Sequence, residues 1–457
     1  MPLKVLIIGA GVCGPAFATM LRRGDPDMQK YDEITVIERA SKLREGLQID
    51  IRAQGISVMR KMGLLDNIRR RAVDERGVCF VDAQGRPFAE FRKNDSGHGA
   101  QAMTSEYEIM RGDLVDLLYR TSLGLNPDRS DDEEPLDVSV TSSGNVRYDF
   151  GITATDISQD EDDDGSAVSV TFSDGRRARY DLVVGADGQS SRTRRAVFGD
   201  SEASFRPVDL FTAYFRVPRG PDDHGWMTWH MMPGRRCAHT RSGDSRKATQ
   251  VYMSVRTSRS ADAYGVASAV GQSPTSASSS VVGRQKEAFA AAFADQAGWR
   301  VPELVDVLRN SATAGDDDDF YAAEVGQVHC DRWVSGRIVL LGDSGYCPSP
   351  ITGMGTTLSL VGAYVLAGEL ARHADEDVPA ALKAYEDGMR PFVKEAQKLP
   401  PGAPGILFME SAWGVWFLTT ILSIVAKLRL IDLIIRFMPE DKGGLKIPEY
   451  PELKLDS

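Results

Sequence analysis

Cysteine is scarce in this sequence and poorly spaced for pairing. There are five in 457 residues, Cys13, Cys79, Cys237, Cys330 and Cys347, and no two stand in a Cys-x-x-Cys spacing. An odd count without that spacing argues against a disulfide framework or a zinc site and suits a reducing, cytoplasmic compartment; no metal site is expected. Positive charge is short as well: 54 Lys and Arg stand against 65 Asp and Glu, a net charge of −11. Nucleic acid is therefore excluded as a partner, because a phosphate backbone demands a basic face. A long apolar run is missing too. The uncharged stretch Ser411–Ala426 has 16 residues, short of the ~20 that cross a hydrocarbon core. The first apolar stretch, in MPLKVLIIGAG, is too short for a secretory segment and runs straight into a glycine motif, so it is expected to be a core strand. No internal repeat is visible.

What is present is ordinary in composition, 42% hydrophobic and 26% charged, and long enough for two or more domains. The acidic runs Asp131–Glu134, Asp160–Asp164 and Asp316–Asp319 read as solvated loops. A strand at Leu3–Ile8, a helix at Gly11–Arg23 and a strand at Glu33–Ile37 make a βαβ start. Residues 51–71 have helical spacing, with Gly63 as a stop signal, and Met110–Tyr119 reads as another helix. Val168–Phe172 and Ala178–Val184 suggest a hairpin about the turn SDG. From Val208 to Val255 alternating β-formers predict an antiparallel sheet. Thr257–Ser280 is serine-rich and reads as a floppy loop. Val325 to Leu370 returns to strand, loop and helix, and the chain from Pro404 onward is helical and apolar.

Three short stretches carry chemistry. GAGVCG, with Gly9, Gly11 and Gly14, follows a strand and opens a helix, the context in which such glycines make a dinucleotide turn. Gly9 permits the tight turn, Gly11 lets a pyrophosphate approach the backbone, and Gly14 lets helix pack on strand. Glu38 closes the second strand, where a carboxylate takes ribose hydroxyls; FAD and NAD fit alike. DLVVGADGQSSRTRR delivers Asp187, Ser191 and Arg194 after a strand; alone it is equally a charged turn. VLLGDSGYCPSPITGMGTT presents Asp343 at a strand end, then Gly353 and Gly355 at a helix start, a second place where backbone N–H groups meet an anion or polar ring.

These pieces, in this order over roughly residues 1–395, resemble the FAD-dependent aromatic monooxygenases of the para-hydroxybenzoate hydroxylase-like group, the group A flavoprotein monooxygenases. GLQIDIRAQGISVMRKMGLLD and IMRGDLVDLLY are similar to the branch that includes tetracycline-inactivating and polyketide-modifying members. The resemblance implies an α/β fold: a Rossmann-like, glutathione-reductase-type FAD-binding domain with an inserted antiparallel substrate sheet and a helical C-terminus. The FAD-binding parts would be 1–200, with insertions at 126–137 and 156–166, and 326–400. The substrate domain would be 201–325, and apolar helices 401–457. It places Glu38 and Arg39 on adenosine, the Gly46 region and Arg111 on the cofactor, Asp187 in the Asp-Gly motif, Asp343 on the ribityl chain, and the Gly353–Gly355 start with Thr356 beneath the isoalloxazine. Without a cofactor, Arg111 would be a helix-terminal arginine in a surface salt bridge. Two positions depart from the pattern. Tyr346 stands where the family often has His and Thr356 where it often has Asn, although a hydroxyl at either still donates a hydrogen bond. The Trp-x-Trp-x-Ile-Pro motif of flavin halogenases is absent.

The implied reaction takes hydride from NADPH or NADH, forms a flavin C4a-hydroperoxide with O2, and oxygenates an aromatic or polyketide-like small molecule, in secondary metabolism or xenobiotic modification. No catalytic side chain stands out, since the flavin carries the hard chemistry. Two other readings stay open: a reductase or dehydrogenase acting without O2, and a non-catalytic FAD-bound scaffold at a membrane. Tyr214, Trp226, Trp229 and Met231 line a substrate pocket or are plain sheet core; His230 reads as structural, and Cys13 as a small helix residue. For the tail, paired helices either pack on the body or lie in a membrane interface with Trp413 and Trp416 at the boundary. The chain is thus placed in the cytoplasm, with or without peripheral membrane contact.

Overall fold

The computed structural model describes residues 2–93, 106–128, 138–159, 167–199, 204–220, 223–243, 248–271, 279–310, 320–373, 377–429 and 446–455. The three acidic runs, much of the two insertions, and Asp432 and Arg436 of the tail lie outside them. Leu3–Ile8 has an apolar run buried on both faces, as a central parallel strand requires. It pairs in parallel with Tyr31–Glu38 and Leu182–Gly185. Val146–Phe150 and Ile338–Leu340 extend the sheet in parallel on either side, and two short antiparallel strands close its edges, seven strands in all.

One face of this sheet carries the helices Cys13–Gly24, Arg111–Ser122 and Gly355–Arg372, packed into a common apolar core. Gly355–Arg372 is buried almost all round, which is why its sequence is apolar without a polar stripe. The other face is covered by a small antiparallel sheet of Ala154–Gln159, Val168–Phe172 and Arg177–Tyr180. The predicted hairpin therefore holds only as far as Tyr180. After Asp181 the chain crosses into the central sheet, because Leu182–Gly185 is apolar on both faces and belongs between two layers. The helical stretch 51–71 is likewise two helices, Gln54–Lys61 and Leu65–Arg71, broken where Gly63 takes φ +64°.

A second seven-stranded sheet runs in the order Tyr321–Val328, Phe205–Pro218, Ala248–Arg256, Arg236–Arg241, Met227–Met232, Gly77–Val81, Pro87–Arg92. It is antiparallel, as predicted, except where Met227–Met232 meets Gly77–Val81. The hairpin 77–92 comes to it from far upstream. Helices Val266–Val270, Ser279–Phe293 and Val301–Asn310 cover one face through Phe211, Ala213, Phe215 and their neighbours. Val266–Val270 falls inside the stretch expected to be a loop. The alternate residues face the first body.

The helix Ala412–Lys427 lies on the hairpin, with Leu418 buried among Phe80, Phe91 and Met231. The second expected tail helix falls outside the described residues. Among the described residues no helix is long and apolar enough to cross a membrane.

Candidate functional site

The glycine turn is fixed by backbone crowding. Gly9 has φ +116°, and a Cβ there would lie 2.5 Å from the Ala186 carbonyl oxygen; a Cβ on Gly14 would lie 2.0 Å from the carbonyl oxygen of Gly9. Neither position tolerates a side chain. Gly11 differs, because its nearest neighbour is the Arg111 guanidinium, 3.3 Å from where a Cβ would stand. Gly46, at φ +84°, abuts the same arginine. Glu38 ties the turn to its strand: one carboxylate oxygen accepts from the Ala10 N–H at 3.1 Å and the other from Ala40 at 3.0 Å. Each oxygen keeps a lone pair for a ribose hydroxyl.

Arg111 is the hub. The charges of Glu38 and Asp343 both act on it, and burial pushes its guanidinium below the ordinary range. It is not the surface ion-paired arginine of the alternative reading: among the described residues its guanidinium has no hydrogen-bonded or ionic partner within reach. A half-buried cation left in this way calls for an anion.

Asp343 opens the next segment, and burial pushes its carboxyl up, countered by Cys347 and Arg111. Its carboxylate is 4.0 Å from the Cβ position of Gly355, first residue of the helix Gly355–Arg372. That helix has no side-chain cap, so its leading N–H groups remain available. Gly353 is left-handed, at φ +64°, and turns the chain into it. Thr356 is half-buried on the first turn, while its neighbour Thr357 both accepts from the Arg52 N–H and donates to the Arg52 carbonyl.

Asp187 has a different job. One carboxylate oxygen accepts from Ser191 Oγ, and the other from the N–H groups of Arg192 and Thr193 at 2.8 and 3.0 Å. It folds its own loop. Arg194 then clamps that loop to the Asp343 segment, donating to the Ser344 carbonyl at 2.7 Å and the Gln189 carbonyl at 2.8 Å. Arg39 is exposed, within the field of Glu38 and Asp187. Tyr346 makes its hydrogen bond in the core, its hydroxyl lying 2.7 Å from that of Tyr385. Its ring packs on Trp333.

Opposite this wall stands an arrangement the sequence did not disclose. Strand register puts Trp229, His239, Tyr252, Tyr214 and Tyr321 side by side in one row. Trp229 stacks on His239 and His239 on Tyr252, each at 4.2 Å; Tyr214 stacks on Tyr321 at 4.5 Å. Tyr321 sits within the field of Arg111. At the other end Trp229 and Ile351, of the turn before Gly353, both pack against the cluster of Leu210, Cys237, Val325 and Phe408. Tyr214 and Trp229 are thus in the row, Met231 packs under the C-terminal helix, and Trp226 precedes its strand. His230 is structural, its Nδ1 lying 3.2 Å from the Val81 carbonyl.

Beside the row Arg241 bridges two buried carboxylates, Glu75 at 2.7 Å and Glu108, and Gln48 donates to both. Only a signal linking positions 75, 108 and 241 would have found this cluster. A separate cleft of about 380 Å³ near Lys4, Phe172 and Tyr180 is lined by arginines. Arg147 and Arg176 there are paired with Glu33, Asp149 and Asp174, which makes it a solvated charged surface away from the glycine turn.

The residues present fit a long dinucleotide with two polar ends. A turn open only at Gly11, a half-buried guanidinium without a partner among the described residues and an uncapped helix start lie along one wall.

Comparison with known proteins agrees. The family model described as FAD binding domain matches residues 2–266 and 291–399. The FAD-dependent monooxygenase asL6 of Sarocladium schorii is 36% identical over 474 residues, covering 100% of both chains. The flavin-dependent monooxygenase eupH of Phoma sp is 35% identical, covering 98% of both. Among solved structures, tetracycline destructase Tet(51) superposes with a TM-score of 0.68 at 25% identity, covering 98% of this chain and 100% of that one.

Proposed function

We propose, from the premise that this chain belongs to the FAD binding domain family and is an FAD-dependent monooxygenase, that it uses NADPH or NADH and O2 to hydroxylate or otherwise oxygenate an aromatic or polyketide-like small molecule, in secondary metabolism or xenobiotic modification. The observation that carries this reading is the continuity of the wall from Gly11 through Arg111 and Asp343 to Gly355, facing a row of aromatic rings. The likeness to a protein named a tetracycline destructase supports a flat, oxygen-rich substrate.

When bound, FAD supplies the redox chemistry between nicotinamide and oxygen. The chain supplies position and charge. Glu38, with Arg39 outside it, takes the adenosine end. Gly11 leaves room for the pyrophosphate, and Arg111 offsets its charge. Asp343 accepts from the ribityl chain, and the first amides of Gly355–Arg372, with Thr356, stabilise negative charge on the ring. Asp187 serves through its loop. The ring row keeps the opposite side dry.

In this reading residues 1–200 and 326–400 form the FAD-binding part, and 201–325, joined by the hairpin 77–92, form the substrate part. The helix Ala412–Lys427 packs over the substrate sheet and shapes access for an apolar substrate.

The test is direct. Purified protein should be yellow with one FAD per chain, and a phenolic or polyketide substrate should stimulate NAD(P)H oxidation with matching O2 uptake and a product heavier by one oxygen. Flavin reduction that saturates a double bond without O2 uptake contradicts it.

A further inference from the structure

The helix Ala412–Lys427 is apolar all round, yet only one side of it packs on the body. Leu418 is buried on the hairpin 77–92, and Val415, Leu422, Val425 and Ala426 pack about it. The opposite side carries Trp413, Trp416, Phe417, Ile421, Ile424 and, just past the last turn, Leu428, all exposed. Their spacing puts them on one stripe. Trp413, Trp416 and Leu428 are 68%, 60% and 63% exposed, so the stripe is a contiguous apolar patch rather than scattered surface residues. The four hydroxyls of the segment Ser411–Lys427 are turned inward. Thr420 falls within the stripe, but it and Thr419 both donate to the Trp416 carbonyl, at 2.8 and 2.9 Å. Ser423 donates to the Phe88 carbonyl at 3.1 Å, and Ser411 accepts from the Gly414 N–H at 3.1 Å. Each hydroxyl thus has a partner within the protein.

Charge sits at the ends of this stripe. From Ser411 to Arg429 the charged residues are Lys427 and Arg429, both exposed, in a chain of net charge −11. At the other end Glu410 is paired with Arg235 at 2.8 Å. A protein interface draws about one hydrogen bond per 100–200 Å² from its polar groups, which a stripe with inward-bonded hydroxyls does not supply. A lipid surface asks for the reverse: polar groups satisfied internally, apolar side chains in one plane, tryptophan near the boundary and cations towards the headgroups. A helix of 16 residues is about 24 Å long, and it lies in such an interface rather than crossing it. We propose that the outer stripe of Ala412–Lys427 docks the protein on an anionic lipid surface. Trp413, Trp416, Phe417, Ile421 and Ile424 enter the acyl boundary, and Lys427 and Arg429 meet the headgroups. The inner stripe stays on the substrate sheet, so docking holds that sheet against the phase in which an apolar substrate collects. The inference goes beyond the oxygenation proposed above and does not depend on it.

The test is cosedimentation of the full chain with vesicles of phosphatidylcholine, with and without phosphatidylserine, at physiological salt. FAD content, melting temperature and mass by light scattering are recorded for every protein. The wild type should bind both kinds of vesicle, and the phosphatidylserine vesicles roughly tenfold more tightly. The triple variant Trp413→Ser, Trp416→Ser, Ile424→Ser should lose at least about a hundredfold in binding to both. Its melting temperature and FAD content should match the wild type, because the three side chains face outward. The double variant Lys427→Glu, Arg429→Glu should lose the preference for phosphatidylserine and keep its binding to phosphatidylcholine. A wild type that stays in the supernatant with both vesicles overturns the proposal, and so does a triple variant that binds as the wild type does. A wild-type dimer that the triple variant dissociates, without vesicle binding, gives the stripe to a second copy of the chain and overturns it too. Should the triple variant melt early, the double variant decides: a phosphatidylserine preference that survives the charge reversal defeats the docking.

Discussion

The two walls of the candidate site are built from different materials. The dinucleotide wall is mostly backbone: a turn in which Gly9 and Gly14 have no room for a Cβ, a loop folded by Asp187, and an uncapped helix start. The sheet wall is side chain: five rings brought together only by the pairing of five strands. Backbone that must approach a ligand or itself closely restricts residue type at fixed local spacing. A cross-strand row restricts nothing local, since Trp229 and Tyr321 become part of one surface only after every intervening register is set.

That contrast can be broken by mutation, starting inside the backbone wall. Gly14→Ala should have the largest effect, because its Cβ would lie 2.0 Å from a carbonyl that cannot yield. A stability loss of about 3–5 kcal/mol is expected, with FAD lost too, seen as a lowered denaturation midpoint. Gly11→Val should behave differently. Its neighbour is the flexible end of Arg111, so the fold should persist while FAD affinity falls by at least about a hundredfold. Unfolding of both variants alike would erase the distinction between structural and ligand-facing glycines.

On the sheet side, burial, together with the charges of Glu75 and Asp50, pushes Glu108 up to about 8 against the pull of Arg241. Its unfolded value is near ~4.3. The folded chain therefore holds this proton more tightly than the unfolded chain. The associated stability is complete below ~4.3, is lost as pH rises towards about 8, and changes no further above that. Glu108→Gln should flatten the slope and gain roughly 1–3 kcal/mol over wild type at pH 8. Parallel denaturation curves at pH 5, 6.5 and 8 would remove the proton from the cluster.

The smallest effect is expected at Cys13. Its thiol is buried, donates to the Ser359 carbonyl at 3.7 Å and is pushed up to about 12, so no thiolate forms near neutral pH. Cys13→Ala should cost ~1 kcal/mol and leave FAD content and turnover within about twofold. A large loss of turnover would give the sulfur a chemical role.

The same physical difference explains what could be read from the sequence. Gly9, Gly11, Gly14, Glu38 and the Asp343–Gly355 stretch announce themselves by spacing at strand ends, and alternation announces the second sheet. The split at Asp181 was hidden because Arg177–Tyr180 and Leu182–Gly185 are contiguous β-formers that only the layers separate. At Tyr346 the hydroxyl makes a hydrogen bond as expected, but a motif position does not say which way a side chain turns, and the partner is Tyr385 in the core. His239 and the Glu75–Arg241–Glu108 cluster carry no local pattern at all.

The central claim is that one FAD is held at two ends, by the Gly11 turn and by the Asp343 segment, joined through Arg111. The dissociation constant of FAD for Asp343→Ala tests it most directly. The account predicts a folded protein that holds FAD by ~1–3 kcal/mol less, roughly ten- to a hundredfold weaker. A variant that holds FAD as tightly as wild type would contradict it.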